Sequence, residues 1–403
     1  MEASVLFMAF TFGIHIVLVN LGIAFSTLVP YLKWRGEKSG DPGLVEVSRE
    51  LMRFYAATYA LGGVFGTAFT VFLLSFYPGF IGFAGHLLLV PFGLSAVFIV
   101  IHFFSIVAYW YGWERFEARL HNLIGIVLAL SAYLIPLGFR ATFAFLNTPQ
   151  GLRFAEADGR AYLDLAEALG NPTFLPLYLK SLVGALTAGL LAVSGSYAYR
   201  ALRKGRMEKA WRMLIENLLP WAMLGLAAMA TLGFWYVISL SGVEYKFNNI
   251  FGGLGWSIGS GAIYNDYSWL FLLKMALVAI QVLAIIYVFH EKITGAPELS
   301  ERSLKLLVLA GGAGLLTIVA GEYLNAFSQY PYFVADITDP AVLSSVPEPL
   351  RPMLASILDL TRINPLASAR SLVVLTLGVM GALLVAVVFF LYILLYSNER
   401  EDG

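Results

Sequence analysis

The chain has 403 residues, of which 59% are hydrophobic and 13% charged, and it contains no cysteine. Its mean hydropathy of +0.77 lies well above that of a soluble globular chain and requires lipid around much of the surface. Lys+Arg and Asp+Glu balance at 26 each, so no bulk charge selects nucleic acid as a partner. The lack of cysteine excludes disulfides, thiolate-held zinc, iron–sulfur clusters within this chain and haem attached covalently through a C-x-x-C-H motif.

A hydrocarbon core about 30 Å thick takes roughly 20 apolar residues as helix. Nine stretches reach that length, at about 4–32, 54–77, 86–111, 120–146, 174–199, 214–240, 268–290, 304–330 and 367–396. They predict an all-α polytopic membrane protein, a nine-helix bundle forming one transmembrane domain over residues 1–403. The opening MEASVLF lacks the basic start of a cleavable signal, so the first run is read as a retained helix.

Basic residues set the expected orientation. Lys33, Arg35, Lys38, Arg49 and Arg53 surround the first connection, and Arg200, Arg203, Lys204, Arg206, Lys209 and Arg212 the fifth. By the positive-inside rule these face the cytoplasm, with the N-terminus outside and the C-terminus inside. Arg115 and Arg119, and Lys292, Arg302 and Lys305, fall on the same side when nine helices alternate. Three long connections, at about 147–173, 241–267 and 331–366, are then external and of a length that is usually functional.

Ionisable residues inside a membrane are costly and are functional candidates by default. His15 lies in the first span, His86 near the outer start of the third and His102 well inside the third. Imidazole is the usual axial ligand of a b-type haem held between membrane helices, so these three are candidate iron ligands; the plainer reading is a structural hydrogen bond. His121 and His290 stand at helix ends on the basic side and read as solvated. Arg140, Lys180 and Lys274 occupy the outer halves of their spans, as does Glu322 with Asn325. They read either as helix–helix hydrogen bonds or as cations for haem propionates beside a carboxylate that handles protons. Met275 next to Lys274 is a second axial candidate, or simple packing.

Taken in order, FGIHIVLVNLGIAFS at 12–26, YALGGVFG at 59–66, YGWERFEARLH at 111–121 and LSGVE at 240–244 resemble segments of subunit I of the cytochrome bd quinol oxidases. The resemblance covers nearly the whole chain. It implies the nine-helix fold with an external N-terminus, haem b (one to three groups), quinone or quinol, and a prokaryotic inner membrane. It puts His15 at the place of an axial haem ligand and Glu244 at the opening of the quinol-binding loop.

Several positions depart from that family. His102 stands where the oxidases carry a glutamate of the oxygen-reducing site, and Lys180 where they carry the histidine of a low-spin haem whose methionine is kept as Met275. The eighth-helix glutamate is lost near Val319 or shifted to Glu322, and the loop after Glu244 is short. A second histidine on a haem would close the position that oxygen needs.

The sequence therefore ranks first a b-type cytochrome in which His15 and His102 hold one haem and His86 helps hold a second, with Glu322 or Glu244 managing quinol protons. Its expected partners are lipid, quinone, and a second membrane subunit, a multihaem c-type cytochrome or an iron–sulfur subunit. A quinol:oxygen oxidoreductase comes second, and a haem-free transporter or scaffold third.

Overall fold

The computed structural model describes residues 3–154, 161–294, 298–329, 348–352, 364, 366 and 368–396. Its helices are α1 (Ala3–Ser39), α2 (Pro42–Phe76), α3 (Pro78–Leu87), α4 (Leu89–Tyr111), α5 (Ala118–Asn147), α6 (Leu165–Leu169), α7 (Phe174–Lys204), α8 (Lys209–Ser239), α9 (Glu244–Phe251), α10 (Ser268–Ile293), α11 (Glu301–Phe327) and α12 (Arg370–Tyr396). A two-stranded antiparallel ribbon, β1 (Leu152–Phe154) and β2 (Ala161–Leu163), precedes α6. Among the described residues, nine helices are long and apolar enough to cross a membrane: α1, α2, α4, α5, α7, α8, α10, α11 and α12. These match the nine expected spans. Most of the 331–366 connection lies outside the described residues.

Local chemistry sets the helix ends. Asp41 caps α2, accepting from the Gly43 and Leu44 amides at 2.9 and 3.2 Å, with Pro42 in the first turn where no amide donor is needed. Gly205 closes α7 at φ +63°, a left-handed conformation that costs glycine nothing. Ser300 caps α11 through the Ser303 amide and is itself held by Glu291 of α10.

Such short links make antiparallel pairs of α1 with α2, α4 with α5, α7 with α8 and α10 with α11, and all four pairs pack closely. The connections at 40–41, 112–117 and 205–208, and the described residues between α10 and α11, consequently share one end of the bundle, the end rich in Lys and Arg. The 240–267 connection and the described residues of the 148–173 connection lie at the other. Around α1 sit α2, α5, α7 and α11. Small residues let the backbones touch: a Cβ on Gly195 of α7 would lie 2.7 Å from the Leu307 carbonyl of α11, and one on Gly311 would lie 2.9 Å from the Leu191 carbonyl. Lipid takes over where packing stops, and Phe103, Phe104, Trp221, Phe234 and Leu283 are exposed outward.

The main difference from the expected elements concerns the third span. Pro78 ends α2 and opens a separate short helix, α3, before α4 begins at Leu89. His86 thus belongs to α3, where it is exposed, and does not open the third membrane helix.

Candidate haem and ion-pair sites in the helix bundle

His15 projects from α1 onto α2. Its Nδ1 lies 2.8 Å from the Gly62 carbonyl, and because a carbonyl only accepts, Nδ1 carries the proton and Nε2 the lone pair. The ring rests against Gly66, where a Cβ would come within 2.6 Å of the imidazole Cε1. Two glycines one turn apart make the shallow place on α2 that seats the ring. Fixing one ring nitrogen on a carbonyl while leaving the other free is how proteins orient an iron-binding imidazole.

His102 is in a different state. Its Nε2 lies 2.6 Å from the Tyr55 hydroxyl and its Nδ1 2.9 Å from Ser131 Oγ. Ser131 donates its own proton to the Leu128 carbonyl at 3.0 Å, so it accepts from His102 Nδ1–H. The remaining lone pair, on Nε2, then takes the Tyr55 proton. Tyr55, His102 and Ser131 are all buried and mutually satisfied, with the Tyr59 ring centroid 5.3 Å from the imidazole. No nitrogen of His102 is left over for iron in this arrangement.

The two histidines also meet α2 at different levels. His15 touches Gly62 and Gly66, whereas His102 touches Tyr55 and Tyr59. Seven residues of helix separate these pairs, about 10 Å along the axis at a rise of roughly 1.5 Å per residue.

The outer half of the bundle holds a denser charged cluster. Arg140 of α5 makes a two-pronged ion pair with Glu322 of α11, at 2.5 and 3.0 Å. Lys180 of α7 lies over the Tyr236 ring, 4.3 Å from its centroid, and Lys274 of α10 reaches toward Gly321 beside Glu322, where a Cβ would be 3.7 Å from Nζ. Lys180, Lys274 and Arg140 all act electrostatically on Glu322. Lys246 of α9 completes the group: its buried ammonium donates to Asn147 Oδ1 at 2.7 Å, Asn325 Oδ1 at 2.8 Å and Gln329 Oε1 at 3.2 Å. Gln329 in turn donates to the Tyr245 hydroxyl and the Leu146 carbonyl.

This cluster unites Arg140, Lys180, Lys274, Glu322 and Asn325, all singled out from the sequence. Other expected site residues are elsewhere. Glu244 faces its own loop, accepting from the Ser260 amide at 2.7 Å and from the Ser260 hydroxyl. Met275 is turned outward and 38% exposed. His121, read as solvated, is fully buried: its Nε2 meets the Tyr109 carbonyl at 2.9 Å and its ring lies tilted against that of Tyr109, centroids 3.9 Å apart, while its Nδ1 has no hydrogen-bond partner among the described residues. His290 is exposed, as expected.

Sequence reasoning passed over Tyr55, Ser131 and Lys246. A tyrosine in an apolar helix reads as packing until its hydroxyl partner is known, and Lys246 lies in a connection where a lysine is ordinarily solvated.

The profile of the cytochrome bd terminal oxidase subunit I family matches residues 4–240. The chain belongs to that family. The bd oxidase of Geobacillus thermodenitrificans has the same fold, with a TM-score of 0.80 over 98% of each chain at 17% sequence identity. No curated protein matches the chain. As a bd subunit I homologue it is a multi-pass membrane protein of the respiratory quinol oxidase type, and the family implies haem, quinol and a partner membrane subunit.

Proposed function

We propose that this bd-family chain binds a haem through His15 Nε2 and works as the haem subunit of a quinol-linked oxidoreductase whose open iron position faces a diatomic gas. The observation that carries this reading is the unequal state of the two membrane histidines. His15 has a fixed tautomer and a free Nε2 lone pair, whereas that of His102 is taken by Tyr55. The family supplies the expectation of a porphyrin and of quinol. Haem, when bound, supplies a one-electron centre.

The protein's own contributions are then separable. Gly62 orients the imidazole and Gly66 gives it room. Glu244, in the first turn of α9 at the start of the 241–267 connection, is the carboxylate assigned to quinol, held in place by the Ser260 amide. Glu322 is already committed to Arg140. The basic end of the bundle is the cytoplasmic side, which puts the N-terminus and the 241–267 connection outside.

The sequence alone favours the paired-histidine cytochrome, and the bonding of His102 moves that reading to second place. Ligation by His102 would require Tyr55 to release Nε2, and His102 meets α2 about 10 Å along the axis from the level at which His15 meets it. Purified protein should therefore be coloured, should bind carbon monoxide on reduction, and should keep its spectrum in His102→Ala. A sharp low-spin spectrum that ignores carbon monoxide would instead establish the paired histidines. A colourless protein would refute haem binding altogether.

A further inference from the structure

We infer that the α7–α8 turn, with the α1–α2 turn beside it, forms a headgroup site for an anionic phospholipid, held by Arg206 and Lys209. The sequence sets the depth. Helix α8 begins at Lys209 and carries no charged residue from Asn217 to Val243, so the hydrocarbon begins within about two turns of that lysine.

The two turns touch. A Cβ on Gly43 of α2 would lie 2.9 Å from the Ala210 Cβ of α8, and two turns further along α2 Glu50 meets Arg200 at 2.5 Å and the Tyr197 hydroxyl at 2.9 Å. The α7–α8 turn is also pinned from within. Arg200 and Lys204 lie over the buried Trp211 ring, 4.9 and 5.0 Å from its centroid, Met207 packs against the core, and Gly205 reverses the chain at φ +63°.

Most carboxylates at these turns are already engaged. Lys33 holds Glu37, two amides of α2 hold Asp41, Lys204 holds Glu208 at 3.1 Å and Arg212 holds Glu216 at 2.8 Å. Glu46 is exposed and without a partner among the described residues. Against that single charge stand Lys38, Arg206 and Lys209, all exposed and without an oxygen partner among the described residues. Lys38 rests over the Trp34 ring, 5.0 Å from its centroid, which leaves Arg206 and Lys209, three residues apart on the pinned turn. Each cation near a membrane surface favours an anionic headgroup by roughly fivefold, and a turn that is already fixed loses little freedom on binding. Further along α8, Trp221 and Leu224 are exposed and offer an apolar track to acyl chains that a soluble anion would not use.

The test is independent of the haem reading, since a colourless protein can be assayed in the same way. Protein purified in a nonionic detergent is titrated with phosphatidylglycerol, phosphatidylcholine or inorganic phosphate, and the unfolding midpoint is followed. Wild type is compared with Arg206→Gln/Lys209→Gln, with the charge-preserving Arg206→Lys/Lys209→Arg, and with Arg115→Gln/Arg119→Gln, which removes two exposed cations from the α4–α5 turn at the same end of the bundle. Phosphatidylglycerol should raise the wild-type midpoint saturably, less so at high salt, while phosphatidylcholine and phosphate leave it unchanged. The Arg206→Gln/Lys209→Gln protein should need about 30-fold more phosphatidylglycerol, and the other two variants should stay within about threefold of wild type.

Equal weakening in Arg115→Gln/Arg119→Gln would reduce the effect to overall surface charge and overturn the site. A matching rise with inorganic phosphate would overturn lipid as the occupant. The proposal also fails if wild type shows no preference for phosphatidylglycerol, and a preference gained only by a chain ended at Ser397 would give the patch to Glu399, Glu401 and Asp402 instead. If Arg206→Gln/Lys209→Gln does not fold, native mass spectrometry of wild type from an equal mixture of the two lipids decides: selective retention of phosphatidylglycerol supports the site, and equal retention overturns it.

Discussion

The Tyr55–His102–Ser131 cluster of α2, α4 and α5 and the outer charged cluster of α5, α7, α9, α10 and α11 share only α5, which contributes Ser131 to one and Arg140 to the other. They solve the problem of burial in opposite ways. The inner cluster is neutral, every donor has an acceptor, and the chain of bonds ends on the Leu128 carbonyl. The outer one gathers four bases about a single carboxylate and leaves two of them without oxygen partners among the described residues. A closed neutral network leaves no donor or acceptor over, whereas the outer cluster carries an excess of positive charge around one carboxylate. The difference separates a residue type that suggests chemistry from a bonding state that permits it.

The comparison is broken most severely at His15, whose free nitrogen belongs to neither cluster. His15→Ala should remove most of the haem, measured as the ratio of pyridine haemochrome to protein, while His102→Ala should leave that ratio near wild type. Equal loss in both variants would return the paired-histidine cytochrome to first place.

A second test acts on the outer cluster's single negative charge. Glu322→Gln leaves Arg140 unpaired among three lysines and should destabilise the protein by about 3–5 kcal/mol, as removal of one partner from a buried ion pair does. Denaturant unfolding in detergent measures it. Arg140→Gln should cost less, because Lys180 and Lys274 remain to face Glu322.

On the neutral side, Tyr55→Phe removes one buried hydrogen bond and should cost about 1–3 kcal/mol. It also frees His102 Nε2. A visible spectrum unchanged by Tyr55→Phe keeps His102 out of iron's reach, and a new low-spin component would show that only Tyr55 held it back.

The smallest effect concerns Lys246, just beyond the membrane-spanning part of the chain, whose burial pushes the ammonium pKa down to about 7 from 10.5. Between these values the unfolded chain binds the extra proton and the folded one does not. The lysine therefore destabilises the fold fully below pH 7, and stability grows as pH rises from about 7 toward 10. The unfolding midpoint of wild type should rise from pH 7 to pH 9 relative to that of Lys246→Met. Parallel pH profiles for the two proteins would contradict this.

The sequence by itself determined the nine apolar helices, their order, and the basic end that carries the short connections, because spans and charge asymmetry are local properties of composition. It also picked out His15, Arg140, Lys180, Lys274 and Glu322, since any ionisable residue in an apolar run stands out. Only tertiary structure decided what each does. A histidine's tautomer depends on a carbonyl 47 residues away for His15, and on a tyrosine 47 residues away and a serine 29 residues away for His102. The Arg140–Glu322 pair joins residues 182 apart, and Lys246 is drawn from a connection into the bundle by three amides from α5, α11 and the turn that follows α11. The α3 break before the third membrane helix moved His86 to an exposed face, and burial of the end of α4 against His121 removed it from solvent. Hydropathy fixes which residues lie in the membrane; which of them meet is set by helix packing, whose contacts leave no periodic trace in one chain.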